Sequence, residues 1–186
     1  MYADNSLTPR ETIRLCALGT LSQCMDQGPM TYDDLVYSVR HFVSRITGPS
    51  LDLMGESVEL LRYEGLVENV HGDDSPNPRL AITKDGNAVL KTLLLANIRA
   101  GNSDLNKLIM ALKFRFLHLL AIEDQEGQAL NFIEICDTEL ARLNDLLIYH
   151  ERDKGHLVEW LKYDIKWLEA RLEWLTAFQA RLADSQ

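Results

Sequence analysis

The chain has 186 residues, 46% of them apolar and 25% charged, and a formal net charge of −9. That length holds one large or two small domains with real cores, and that balance excludes collagen-like and disordered chains. The acidic excess weighs against non-specific attraction to nucleic acid: residues 1–95 carry 8 basic against 13 acidic side chains and the remainder 11 against 15. Any contact with a duplex must therefore come from locally grouped cations.

Met1–Thr8 is short and polar, with Asp4 where a secretion signal would be positive. The longest apolar runs, Leu93–Ala96 and Leu119–Ile122, are far too short to span a bilayer. Cys16, Cys24 and Cys136 are an odd set in helix-like stretches and read as reduced, buried thiols. A cytoplasmic location is expected.

Thr8-Pro9-Arg10-Glu11 sets a capping Thr, a Pro at the first helical position and a Glu that reaches back, so a helix is expected from there to about Asp26. Its apolar side is Ile13, Cys16, Ala17, Leu21 and Cys24. After Gln27-Gly28-Pro29, Thr31-Tyr32-Asp33-Asp34 repeats the cap and opens a second helix through Leu35, Val39 and Phe42. Ser50 is placed to cap a third, carried by Leu51, Met54, Val58 and Leu61 and closed at Gly65. Leu66–Val70 then reads as a strand, Gly72–Pro78 as a turn and Arg79–Ile82 as the returning strand. Thr83 caps a fourth helix from Lys84 into Ile98. Three helices, a hairpin and a closing helix are the order of a winged helix-turn-helix. Beyond Ala100–Ser103 the chain reads as purely helical: roughly Asp104–Glu123, Glu126–His150 and His156–Ala183. The expected fold class is mainly α with a small β wing, divided into a winged-helix DNA-binding-type domain at 1–100 and a helical dimerisation domain, with an effector-sensing role, at 101–186.

Three stretches of the first half resemble the PadR family of transcriptional regulators, and the AphA-like branch in particular: Gly28-Pro29-Met30-Thr31-Tyr32-Asp33-Asp34-Leu35, Leu60-Leu61-Arg62-Tyr63-Glu64-Gly65-Leu66-Val67 and Leu80-Ala81-Ile82-Thr83-Lys84-Asp85-Gly86. Two more lie in the second half, Leu112–Leu120 and Trp167–Leu175. The resemblance implies dimers that bind operator DNA, many of them responsive to small aromatic effectors. One departure concerns the third helix, where Leu51–Glu59 holds Gly55 in place of the family's Tyr and would present Asp52, Glu56 and Glu59. Carboxylates accept from cytosine but repel phosphates.

The residues expected at DNA are Arg40, His41 and Arg45 at the end of the second helix, Ser57 and Arg62 on the third, and Arg79 and Lys84 at the wing. His71 and Asn77 are weaker candidates, because Asp73 and Asp74 lie between them. The alternative is a protein-interaction module, its acidic third helix docking on a protein after DNA affinity has been lost. His150, Asp153, His156 and Glu159 straddle a break at Lys154-Gly155 and match no zinc pattern, so no metal or other cofactor is expected. No nucleophile elbow, P-loop or dinucleotide motif is present, which argues against an enzyme.

The last helix carries two apolar stripes. Leu161, Ile165, Leu168, Leu172, Leu175 and Leu182 form a coiled-coil seam. Trp160, Tyr163, Trp167, Trp174 and Phe178 form a second, about 115° away. One neighbouring helix cannot cover so wide an arc, so a homodimer is expected, built chiefly on Trp160–Leu182. A small aromatic effector is expected to use Trp160, Trp167 or Trp174. Asp164 and Arg171 fall between the stripes. Two copies crossing antiparallel near Leu168 would set Asp164 of each against Arg171 of the other; otherwise both reach water at the groove edges.

Overall fold

Thr8 opens the first helix as its spacing predicts. In the computed structural model, which describes residues 6–24, 28–48, 55–70, 75–98 and 103–184, its backbone N–H and hydroxyl both donate to Glu11, and its hydroxyl oxygen accepts from the Glu11 N–H. Helix α1, Pro9–Cys24, follows and buries Ile13, Leu15, Cys16, Ala17, Leu18 and Leu21. The same reciprocal box at Thr31 and Asp34 starts α2, Tyr32–Thr47, whose buried positions are Leu35, Val39 and Val43. Helix α3 is Gly55–Tyr63. The expected cap at Ser50 and the start at Leu51 lie outside the described residues, as do Asp52, His71, Asp73 and Asp74.

The hairpin is β2, Val67–Asn69, and β3, Arg79–Ile82, paired antiparallel with Val67 opposite Ile82. A third strand, β1 at Met30–Thr31, pairs with the other edge of β3, giving the sheet order β1-β3-β2. Sequence reasoning missed it because two residues carry no alternation to read. The structure also shortens the expected strand Leu66–Val70 to three residues: Leu66 N–H donates back to the Leu61 carbonyl of α3, while the Leu66 carbonyl and the Val70 N–H keep the hairpin register with Thr83 and Arg79 at 3.1 and 2.7 Å.

Helix α4, Lys84–Leu95, is capped by the Thr83 hydroxyl, which accepts from Gly86 N–H at 3.0 Å. It stops three residues before Ile98, at an extended Ala96. The expected helix Asp104–Glu123 is two pieces: α5, Asp104–Phe116, then a 3-10 turn, Leu117–Leu119. An extended Leu120 follows, and α6, Ile122–Tyr149, begins. The break thus falls at Leu120-Ala121, about four residues before the expected one between Glu123 and Glu126, at a site with neither Gly nor Pro. Helix α7 is Leu157–Ala183.

Two compact units result, and the first ends at Leu120. Helix α5, placed with the C-terminal half by the expected boundary at residue 100, packs on α1 and α2 in the first unit. Its Leu108, Ile109, Leu112 and Phe116 are fully buried. The Phe116 ring occupies the notch left by Gly19 of α1, where a Cβ would lie 2.5 Å from it. Arg115 lies over the rings of Phe42 and Phe116 at 4.7 and 4.8 Å, and its carbonyl accepts from Gln23. In the second unit, Leu161, Ile165 and Leu168 of α7 pack against Leu140, Leu143, Leu146 and Leu147 of α6.

Candidate nucleic-acid interface

Burying Leu35, Val39 and Val43 turns the opposite side of α2 to water. There Tyr37, Arg40, His41 and Arg45 are all exposed, one helical turn apart or less. The Tyr37 and His41 rings stack with centroids 6.1 Å apart, which stiffens the middle of this stripe. Arg40, His41 and Arg45 are each exposed, with Arg40 and Arg45 about 140° apart around the helix axis and His41 between them.

Helix α3 adds a second exposed surface. Its Val58 and Leu61 are buried, while Glu59, Arg62 and Tyr63 face outward. With Tyr32 of α2 these three line an open cleft of about 490 Å³. Burial, reinforced by the carboxylates of Glu59 and Asp33, raises the Tyr32 phenol above its ordinary value, so it stays a neutral donor. Ser57 lies on α3 with its side chain outside the described set, as does that of Glu56. Of the acidic triplet, Glu59 is the member seen to be exposed.

Arg79 is exposed at the first residue of β3, opposite Thr31, and Lys84 is exposed in the first turn of α4. Asn77 has a role inside the fold: its amide donates to Asp33 at 3.0 Å and moors the hairpin to the start of α2. Two other arginines are likewise committed within the unit. Arg14 pairs with Glu64 at 2.6 Å, with Arg10 at 3.8 Å, so α1 grips the end of α3. Sequence reasoning did not assign Glu64 this duty, because its partners lie fifty residues away. The structure thus gives the motif Tyr63-Glu64-Gly65-Leu66 a physical content. Glu64 is clamped by α1, Gly65 takes a φ of 71° to leave the helix, and its carbonyl accepts from the Thr83 hydroxyl.

The family model described as "Putative AphA-like transcriptional regulator" matches residues 2–179. The chain belongs to the AphA-like family of transcriptional regulators. Among solved structures it is similar to smu.1604c from Streptococcus mutans, at 20% identity over 96% of this chain and 98% of that one, with a TM-score of 0.36. It is also similar to Bacillus subtilis PadR solved in complex with operator DNA, at 14% identity over 91% of this chain and 98% of that one, again with a TM-score of 0.36. At those values the assignment rests on the family model. No curated protein matches the chain.

For an AphA-like regulator the second unit is as informative as the first. Trp160, Trp167 and Trp174 are 56, 61 and 50% exposed and Tyr163 is 61% exposed, so the second stripe of α7 is uncovered within one chain. Tyr163 packs edge-on to Trp167, and Trp174 stacks on Phe178 at 5.6 Å. Successive tryptophans stand about 10 Å apart along the axis. Asp164 is half-buried and its charge helps hold the Arg142 guanidinium above its ordinary value, after the larger effects of a hydrogen bond and charge from Glu139. Arg171 is exposed and its charge opposes the burial that raises the Cys136 thiol. Both side chains therefore sit at the edges of the α7 face, toward α6. The three thiols are free, and burial pushes that of Cys16 up to about 12, as expected of a packing residue. Among the described residues no helix is long and apolar enough to cross a membrane, and no His, Cys, Asp and Glu group could hold a metal ion.

Proposed function

We propose that this regulator is a homodimer that binds double-stranded DNA in the cytoplasm through its winged-helix unit and pairs through α7. The observation that carries the DNA reading is the grouped exposure of Arg40, His41 and Arg45 on α2, in a chain whose overall charge repels phosphate. Phosphate neutralisation supplies most of the affinity of such a module, and here few cations are placed to supply it. Arg79 at the base of the wing and Arg62 on α3 extend the set. Helix α3 supplies sequence preference, with Glu59 able to accept from a cytosine amino group. The exposed Trp160, Tyr163, Trp167 and Trp174 support the dimer: these four rings expose on the order of 500 Å² of mostly apolar surface, toward the upper end of the largest patch on a typical monomer.

Arg40→Gln and Arg45→Gln are each expected to weaken binding to any duplex about fivefold near 0.1 M salt and to lower the slope of log affinity against log salt by about one. Fluorescence anisotropy with the DNA upstream of the protein's own gene, and with a scrambled duplex, checks this. Unchanged affinity in both variants, beside a large loss in Glu59→Ala, would move the grip from α2 to α3. A second reading draws on the exposed Glu59 and Tyr63, a pair suited to a basic protein partner. It predicts no retention on heparin and no duplex binding at low salt.

A further inference from the structure

We infer that Glu59 and Arg62 of α3 read two successive G·C pairs in the major groove, Glu59 accepting from the amino group of one cytosine and Arg62 donating to O6 and N7 of the neighbouring guanine. The inference rests on the DNA binding proposed above and names the bases that the third helix selects. Among the described side chains of α3, those exposed are Glu59, Arg62 and Tyr63, and all three line the cleft beside Tyr32.

Both charges converge on one place. Beyond the burial that dominates its shift, the Tyr32 phenol is pushed up by Glu59 and drawn down by Arg62, so both side chains lie within electrostatic reach of a single hydroxyl. Among the described residues neither is held in an ion pair, unlike Glu64 at the end of the same helix, which takes Arg10 and Arg14. The cleft therefore presents one strong acceptor and one forked donor, both open to solvent.

A phosphate fits this arrangement poorly. Glu59 and Asp33 set two carboxylates around the Tyr32 hydroxyl against the one guanidinium of Arg62, and both repel an anion. A base edge carries no net charge, and a G·C pair offers guanine O6 and N7 as acceptors beside the cytosine amino donor. An A·T pair sets an amino group or a methyl where Arg62 needs its second acceptor, and a charge desolvated without a partner is costly. Residues three apart on a helix are about 4.5 Å apart along its axis and lie on nearly the same side. Successive base pairs are about 3.4 Å apart, so neighbours on α3 fall on neighbouring pairs. The charge of Arg62 still counts toward neutralising the duplex, and the base contact adds preference to it.

Selection by the full chain from a random duplex library, followed by anisotropy with single-pair replacements in the selected site, tests this. The site is expected to hold two adjacent G·C pairs, and replacing either by A·T is expected to weaken binding about tenfold. Arg62→Ala should erase the discrimination at the guanine and keep that at the cytosine. Glu59→Gln should change the preferred base at the other position from cytosine to adenine, because a glutamine amide matches adenine N6 and N7. Such a gain of preference cannot come from a misfolded variant. If Arg62→Ala weakens every duplex equally and leaves the base preferences of the natural chain, Arg62 is a phosphate contact and the inference is overturned. A selected site without adjacent G·C pairs, or a Glu59→Gln variant that still prefers cytosine, overturns it as well while DNA binding stands. Failure of the natural chain to bind any duplex at low salt would remove the DNA reading itself, and the inference with it.

Discussion

Gly86→Ala is expected to destabilise the first unit by about 3 kcal/mol, at the upper end of what overpacking costs. A Cβ at Gly86 would lie 2.1 Å from the Leu66 carbonyl oxygen and 2.8 Å from Ile82 Cγ1. The oxygen cannot swing aside, because it accepts from Thr83 N–H, and Thr83 is itself tied to the Gly65 carbonyl through its hydroxyl. To admit one methyl group, the start of α4 must lift off the end of α3, which disturbs the base of the wing as well. Gly127 is the control. It lies in α6 with nothing within 4 Å of a Cβ, so Gly127→Ala should gain about 0.5–1 kcal/mol from helix propensity. Equilibrium urea unfolding checks both, and equal midpoints for the two variants would contradict the packing described.

Lys113→Ala is the second substitution with a large expected effect, a loss of about 3 kcal/mol. This α5 lysine is fully buried and its ammonium donates to the carbonyls of Leu94 and Ala96, at the end of α4. Removing it empties a large volume and takes a charged donor from the negative end of a helix. The same burial pushes its pKa down from 10.5 to about 7, while the two carbonyls favour the charged form and oppose that fall. A folded value below the unfolded one means that the unfolded chain binds more protons between pH 7 and 10.5. Lys113 therefore makes unfolding harder as pH rises through that window, each unit of displacement being worth about 1.4 kcal/mol. Urea unfolding near pH 7 and again near pH 9.5 should show a larger gain in the natural chain than in Lys113→Ala. An identical pH dependence in both would sink this assignment.

Lys113 also shows where sequence reasoning stops. The caps at Thr8, Thr31 and Thr83 were legible because each is a local pattern of hydroxyl and reaching acid or tight glycine, and the structure makes those bonds. The hairpin and the long last helix were legible from their periods. The pattern groups helix α5 with the C-terminal half, whereas it packs in the first unit, because its membership depends on Phe116 meeting Gly19 and on a buried lysine, which any polar–apolar pattern counts as surface. The break at Leu120 is hidden for a related reason: Leu119-Leu120-Ala121-Ile122 is apolar throughout, so the pattern places the boundary in the polar stretch between Glu123 and Glu126. At the candidate site the exposed arginines of α2 could be named from charge and phase alone. The commitment of Arg10 and Arg14 to Glu64, and of Asn77 to Asp33, needed the packing of distant segments.

In the function proposed above, two copies of this chain grip one duplex through cations on α2. A mobility-shift titration of the full-length protein on the DNA upstream of its own gene, at low salt and then at about 0.15 M, tests it most directly. The expected result is one shifted species containing two protomers, binding that weakens steeply with salt, and loss of most of the affinity in the double variant Arg40→Gln with Arg45→Gln. No shift at low salt, or a shift by single protomers that the double variant leaves intact, would contradict it.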